Sequence, residues 1–370
     1  VLAITNGATF TVAGGQSIIL DQSSTFSSTV AFVASSSGTL AGVTINDSDA
    51  FELATLTVTG DLTVTAGGEI TDGGTVTVGG DLAATTDAGN SAINLGTLAV
   101  DGSIALNTHG SGAATVVNDA GLDFAASTVG GALSATATSQ GITDSGVLAI
   151  TGTSTLTVDD GQSITLDQSS TFGTVAFVAS SGTIASVEIK DSNAFDLAAL
   201  TVTGNLTVTA GGAVTDTGAL AIAGVTTISA SSQNVTLDTE TNNFADAVRI
   251  TGNAVTIVDE DAIELGTSTV TGTYSVTAGG AITENGDLII TGITTLEAGS
   301  GNDITLDRAG NNFQAGVRIT SGKNVTLVDA GAIDLDASTV TGTYDVTATS
   351  GGGITDSGVL AITGASTFTV

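Results

Sequence analysis

A five-residue phrase, I-T-D-x-G, recurs along the chain and limits its fold more than any other feature. It reads ITDGG from Ile70, ITDSG from Ile142, VTDTG from Val214, ITENG from Ile282 and ITDSG from Ile354. The intervals are 72, 72, 68 and 72 residues. Recurrence of this kind is the mark of an array whose units bury their apolar faces against one another. The phrase divides the chain into copies at 1–69, 70–141, 142–213, 214–281, 282–353 and a partial 354–370. The first copy matches 147–213 closely, as in QSIILDQSSTF against QSITLDQSSTF, with two extra residues near Ser28 and Ser37. Copies 214–281 and 282–353 form a second pair, and 70–141 diverges most. The chain opens with VLAIT, in phase with Val147 and Val359, as an excerpt of a longer array would.

Within a copy the apolar residues alternate. ATLTVTGDLTVT places Leu56, Val58, Leu62 and Val64 at period two with Thr between them, which argues for half-buried strands. Gly, Asn and Asp interrupt these runs every five to ten residues, where turns form. No stretch has the 3.6-residue period of a helix. The fold expected is all-β: a single continuous right-handed parallel β-helix, or β-solenoid, over 1–370, with about four coils of ~14–20 residues per 72-residue copy. One division of 218–286 starts coils at Gly218, Val235, Ala254 and Thr273. Phe26, Phe172, Phe244 and Phe313 hold matching places and are expected in one layer of the coil. Proline, which cannot donate to a ladder, is absent. An outer-membrane barrel needs aromatic girdles, and the chain has two Tyr and no Trp. A β-sandwich array fits the interval but lacks an aromatic core anchor.

Composition narrows the partners. Five Lys and Arg against 37 Asp and Glu give a net charge of −32, which repels nucleic acid and anionic lipid. With no Cys there is no disulfide, thiolate metal site or Cys nucleophile. No apolar run reaches the ~18 residues of a spanning helix. Mean hydropathy is +0.42, too apolar for a disordered acidic tail.

The phrases LTVTAGGEITDGG, GNDITLD, NNFQAGVRIT and STVTGTYDVTA resemble the repeat regions of large bacterial exoproteins, the filamentous-haemagglutinin-like adhesins. The resemblance covers essentially the whole chain but only the shaft of such a protein. It implies secretion, display at the bacterial cell surface or outside the cell, and a long β-helical shaft. Neither the amino-terminal secretion module nor a carboxy-terminal barrel or toxin domain is recognisable in this sequence.

For chemistry, the cations Lys190, Arg249, Arg308, Arg318 and Lys323 are too few and too regular for a polysaccharide-lyase site; Arg249 and Arg318 occupy equivalent phrases and read as one ladder. His109 stands alone in a turn-like LNTHGSG. Asp21, Asp167, Asp238 and Asp307 follow an apolar strand, while Asp47, Asp49, Asp191, Asp259, Asp261 and Asp329 fall at one turn of the copy. Catalytic carboxylate pairs are single in a chain, and these are periodic. The reading is therefore a solvated acidic edge and no enzyme, with no catalytic or cofactor-binding residue. The sharper alternative is calcium, an oxygen-seeking ion, with Asp259, Glu260, Asp261 and Asp329 as the candidate ligands. Thr55, Thr57 and Thr59, like Thr267, Thr269 and Thr271, form Thr-x-Thr runs that suit ice binding only if every coil carries them. The function expected is the structural shaft of a secreted adhesin or extracellular filament, giving length, stiffness and cell-surface or cell–cell attachment. Its partners would be copies of itself, end to end or lateral, a longer parent chain, or a surface glycan or receptor, with no nucleic acid and no membrane insertion. The alternative is a β-helical carbohydrate-binding or polysaccharide-cleaving protein.

Overall fold

The computed structural model describes residues 1–36, 38–349 and 352–370; Ser37, one of the sites of extra residues in the first copy, lies outside them. The chain forms two compact units, Val1–Ile184 and Ala185–Val370. Each is a β-solenoid of short parallel strands, with no helix among the described residues.

A coil has two sides. One is a single five-residue strand such as Leu62–Ala66. The other is a bent pair of three-residue strands such as Phe51–Leu53 and Leu56–Val58. Inward residues alternate with outward ones. Leu62, Val64 and Ala66 are buried, and so are Leu56 and Val58, while Thr faces out between them. Stacking aligns equivalent positions. Leu62 lies on Leu82, and Leu82 on Ile104; in the second unit Val214 aligns with Val235, Val255, Tyr274 and Thr294. Each fully buried Val or Leu contributes ~1.5–3 kcal/mol, so the ladders carry the fold.

Those alignments put 19 to 22 residues in a coil, more than the 14–20 expected from the sequence. The reason is geometric: strands of five, three and three residues must be joined through three corners, and every corner takes residues that the alternation does not show. The divisions at Val235, Ala254 and Thr273 fall within one residue of the stacked positions Val235, Val255 and Tyr274.

The coil also explains the long repeat. From Val43–Asp47 the sides follow as five-residue strand, bent pair, five-residue strand, bent pair, five-residue strand, a single eight-residue strand Ile93–Val100 with a register shift in place of the third bent pair, and a five-residue strand, Ser103–Asn107. The next side, Ala114–Asn118, is again a five-residue strand. A copy is thus seven half-coils, or three and a half coils. Counted from Val43 and not from the recurrent phrase, a copy begins where two straight sides meet, and successive copies exchange sides. In the first unit the phrase at Ile70 lies in an eleven-stranded sheet, pairing with Ile93, whereas the phrase at Ile142 pairs with Leu122 and Ile164 in the other sheet. In the second unit Val214 and Ile354 share a nine-stranded sheet, and Ile282 lies outside it. Arg249, stacked on Thr227, and Arg318, stacked on Thr295, therefore lie in different sheets and are not one ladder.

Two glycine positions are set by this close stacking. A Cβ at Gly130 would collide with the Gly110 carbonyl oxygen, and one at Gly279 with that of Glu260.

Candidate functional site

Where a straight strand stacks on a bent pair, the ladder loses register and backbone N–H groups lose their partners. An unpaired buried N–H costs about 1–3 kcal/mol. Side chains fill these places, and they are the periodic carboxylates of the sequence.

The first set closes the opening strand of each copy. Alternation turns Asp47 inward with Val43 and Ile45, Asp259 with Val255 and Ile257, and Asp329 with Val325 and Leu327. Their exposures are 0%, 2% and 0%. Asp259 Oδ2 accepts the N–H of Phe244 at 2.9 Å, and Oδ1 that of Asp261 at 2.8 Å. Asp329 accepts from Phe313 and Gly331 at 2.7 and 2.5 Å. Asp47 Oδ1 takes both N–H groups, from Phe26 at 3.3 Å and Asp49 at 3.1 Å. Burial pushes all three carboxyls above the usual range, against the pull of these N–H bonds. In the remaining copy of the first unit Asn118 fills the place. Its Oδ1 accepts the N–H of Val100 at 2.9 Å, and its amide donates to the carbonyls of Val100 and Gly121 at 3.0 and 2.6 Å. The phenylalanines belong to the same arrangement: Phe26, Phe244 and Phe313 stack on Ile4, Ile222 and Ile290, and Phe172 follows Thr171, which bridges to Ala149.

The second set is the acid of the recurrent phrase. It reaches the next coil, where the bent pair is widened. Asp72 accepts the N–H groups of Gly96 and Thr97 at 2.9 and 2.7 Å. Asp144 accepts that of Asp167 at 2.9 Å, Asp216 that of Asp238 at 2.9 Å, and Glu284 that of Arg308 at 2.7 Å. A third set covers the opposite mismatch: Ser127, Ser268 and Ser338 hydroxyls accept the N–H groups of Leu106, Ile250 and Ile319 at 3.0, 3.1 and 3.2 Å.

The solvated acidic edge expected from sequence is thus two populations. Asp49, Asp261, Asp167, Asp238 and Asp307 are exposed, but Asp47, Asp191, Asp259 and Asp329 are buried and bonded to backbone. Of the calcium candidates, Asp259 and Asp329 point inward, whereas Glu260 and Asp261 accept from the Asn243 amide at 3.3 and 3.1 Å. Among the described residues no group of three or more His, Cys, Asp and Glu is placed to hold a metal ion. His109 sits in a turn, its Nδ1 2.6 Å from the Gly89 carbonyl oxygen. Arg308 and Arg318 make surface ion pairs with Asp287 and Asp336.

Sequence reasoning gave the acid of I-T-D-x-G no role. The signal was present: Asp144 has the parity of Ile142, and Asp47 that of Val43 and Ile45, so alternation alone turns them inward.

The arrangement joins coil to coil, and the comparisons with known proteins agree with it at the level of the repeat. Neither the curated proteins nor the solved structures contain a match to this chain. A repeat family described as "Repeats of unknown function (DUF5649)" matches residues 40–110, 111–179, 184–251, 252–320 and 322–370. Its limits fall at or beside the junctions of straight strands: 110/111 lies between Ser103–Asn107 and Ala114–Asn118, and 251/252 falls at the last residue of Val248–Gly252, just before Val255–Asp259. The copies counted from I-T-D-x-G divide the same array in a different phase. With its matches running through most of the sequence, this chain belongs to that family of repeats of unknown function.

Proposed function

We propose that this repeat β-solenoid is a stretch of the shaft of a secreted bacterial surface adhesin or extracellular filament, supplying length and stiffness for attachment at the cell surface. The observation that carries the reading is the use of the recurring polar side chains. The buried acids, Asn118 and the three serines are engaged with the backbone of neighbouring coils. A scaffold that each coil shares only with its neighbours is stiff along its stacking direction and extends by adding copies. The resemblance to exoprotein shafts supports the surface location. No residue is assigned to catalysis. Carbohydrate recognition draws less support, because both tyrosines are buried and no Trp is present.

The test is electron microscopy and fibre diffraction of the native material. Thin rods or fibres with a ~4.8 Å repeat along their length support a shaft. Globular particles that bind and cleave a polysaccharide would replace this reading with the carbohydrate one.

A further inference from the structure

We propose that Asp144 is a proton-binding site, and that its protonation tightens the coil stack of the first unit in mildly acidic solution. This goes beyond the shaft reading and does not depend on it.

The geometry rests on a comparison between copies. Asp144 closes the strand Ile142–Asp144, faces inward and is 8% exposed. Its Oδ1 accepts the N–H groups of Asp167 and Gln168 at 2.9 and 3.5 Å. Its Oδ2 is buried and has no donor. Asp216 holds the equivalent place in the second unit, and its Oδ2 accepts the Asn242 amide at 2.7 Å and the Thr239 N–H at 3.3 Å. At Glu284 the Asn311 amide joins the Arg308 N–H on Oε1, at 2.8 and 2.7 Å, and Oε2 stays buried without a donor, so the direct contrast with Asp144 is Asp216. Asn242 and Asn311 stand two residues before Phe244 and Phe313; Ser170 stands two residues before Phe172. All three accept a backbone N–H at 2.9 Å, Ser170 from Leu148, Asn242 from Leu220 and Asn311 from Leu288. The Ser170 hydroxyl is shorter than the Asn amide and makes no hydrogen bond to the Asp144 Oδ2.

The charges around Asp144 do not compensate. In the coil on one side Phe124 stacks on Asp144 and Asp123 stacks on the neighbouring Thr143; in the coil on the other side Asp167 gives its backbone N–H to Asp144, and both negative charges act on its carboxyl. Every Lys and Arg of the chain is numbered 190 or higher, so the first unit contains none. Burial first, with Asp167 and Asp123 adding to it, pushes the Asp144 carboxyl up to about 6. A folded-state value above the ~3.9 of an unfolded Asp means that the folded unit binds a proton which the unfolded chain does not. This contribution is present at low pH and is lost as pH rises through about 6.

The test is a ¹³C NMR titration of the aspartate carboxyls in the full chain, with the Asp144 resonance assigned by its loss in Asp144→Asn. The expected midpoint is about 6. Ser170→Asn restores the missing donor and is expected to lower the midpoint by about one unit or more. A wild-type midpoint below about 4.5, within the ordinary aspartate range, overturns the proposal. So does a Ser170→Asn chain that folds and titrates unchanged. If Ser170→Asn does not fold, the urea midpoint of Asp144→Asn decides. Its dependence on pH between about 4 and 7 must be weaker than wild type, and an unchanged dependence overturns the proposal.

Discussion

Asn118 and Asp259 do the same task with different chemistry. Each ends the first strand of a copy and receives the N–H of a residue one coil away, Val100 or Phe244. Asn118 also donates to two carbonyls. Asp259 instead uses its second oxygen for the N–H two residues on. What the boundary requires is a buried acceptor for the neighbouring coil; the other half of the side chain fits whichever turn follows. Asp47 is a third variant, with both N–H groups on one oxygen and the other oxygen buried without a donor.

Removing the acceptor is expected to have the largest effect. Asp259→Leu orphans the N–H groups of Phe244 and Asp261 and is expected to destabilise the second unit by about 3 kcal/mol. Urea denaturation followed by circular dichroism measures it, and a loss below about 1 kcal/mol would mean that the ladder does not need the side chain. Next is Ser127→Ala, which leaves the Leu106 N–H without its acceptor and should cost about 1–2 kcal/mol in the same assay.

Amide substitutions sharpen the contrast. Asp259→Asn loses one of two accepted bonds and should cost about 1 kcal/mol at neutral pH. Asp47→Asn keeps both N–H groups on its one oxygen and removes a buried charge, so it is expected to be neutral or stabilising by up to about 1 kcal/mol. The raised carboxyl at Asp47 adds a sign: the wild type loses stability as pH climbs past that group's titration, and Asp47→Asn removes this part of the decline. Equal effects of the two substitutions would contradict the geometry. The smallest effect belongs to the surface: Arg318→Ala, which removes the ion pair to Asp336, should change stability by less than about 1 kcal/mol.

Much of this was legible in the sequence, because strand alternation and stacking are local rules repeated many times. Leu62, Val64 and the Thr between them already show the straight side of the coil. The phenylalanines hold matching places in their copies, as the sequence suggests, but Phe244 and Phe313 lie in different sheets and so do not form one layer. The half-coil was hidden. A 72-residue interval divides into whole coils as easily as into three and a half, and only the pairing of Ile70 and Ile142 with different sheets separates the two. The buried acids were hidden for another reason. Hydropathy places Asp outside, and an unpaired ladder N–H outweighs that preference at Asp47, Asp259 and Asp329. Ser170 against Asn242 was visible as a difference, but its consequence appears only when Asp144 and Asp216 are seen beneath them.

Each copy is three and a half coils, so that neighbouring copies exchange sides. Electron–electron distance measurements in the first unit test it directly, with spin labels on the outward residues Thr71, Thr143 and Thr155. Thr71 and Thr155 belong to one column, linked through Asn94, Thr115 and Ser134. Four steps of ~4.8 Å place them ~19 Å apart. Thr143 is nearer to Thr71 in sequence but stacks between Asp123 and Thr165 in the other sheet. The labels at Thr71 and Thr143 then face away from each other across a ~10 Å core. A clearly longer distance is expected for 71–143 than for 71–155. A 71–143 distance equal to or shorter than that of 71–155 would mean whole coils per copy, and would contradict it.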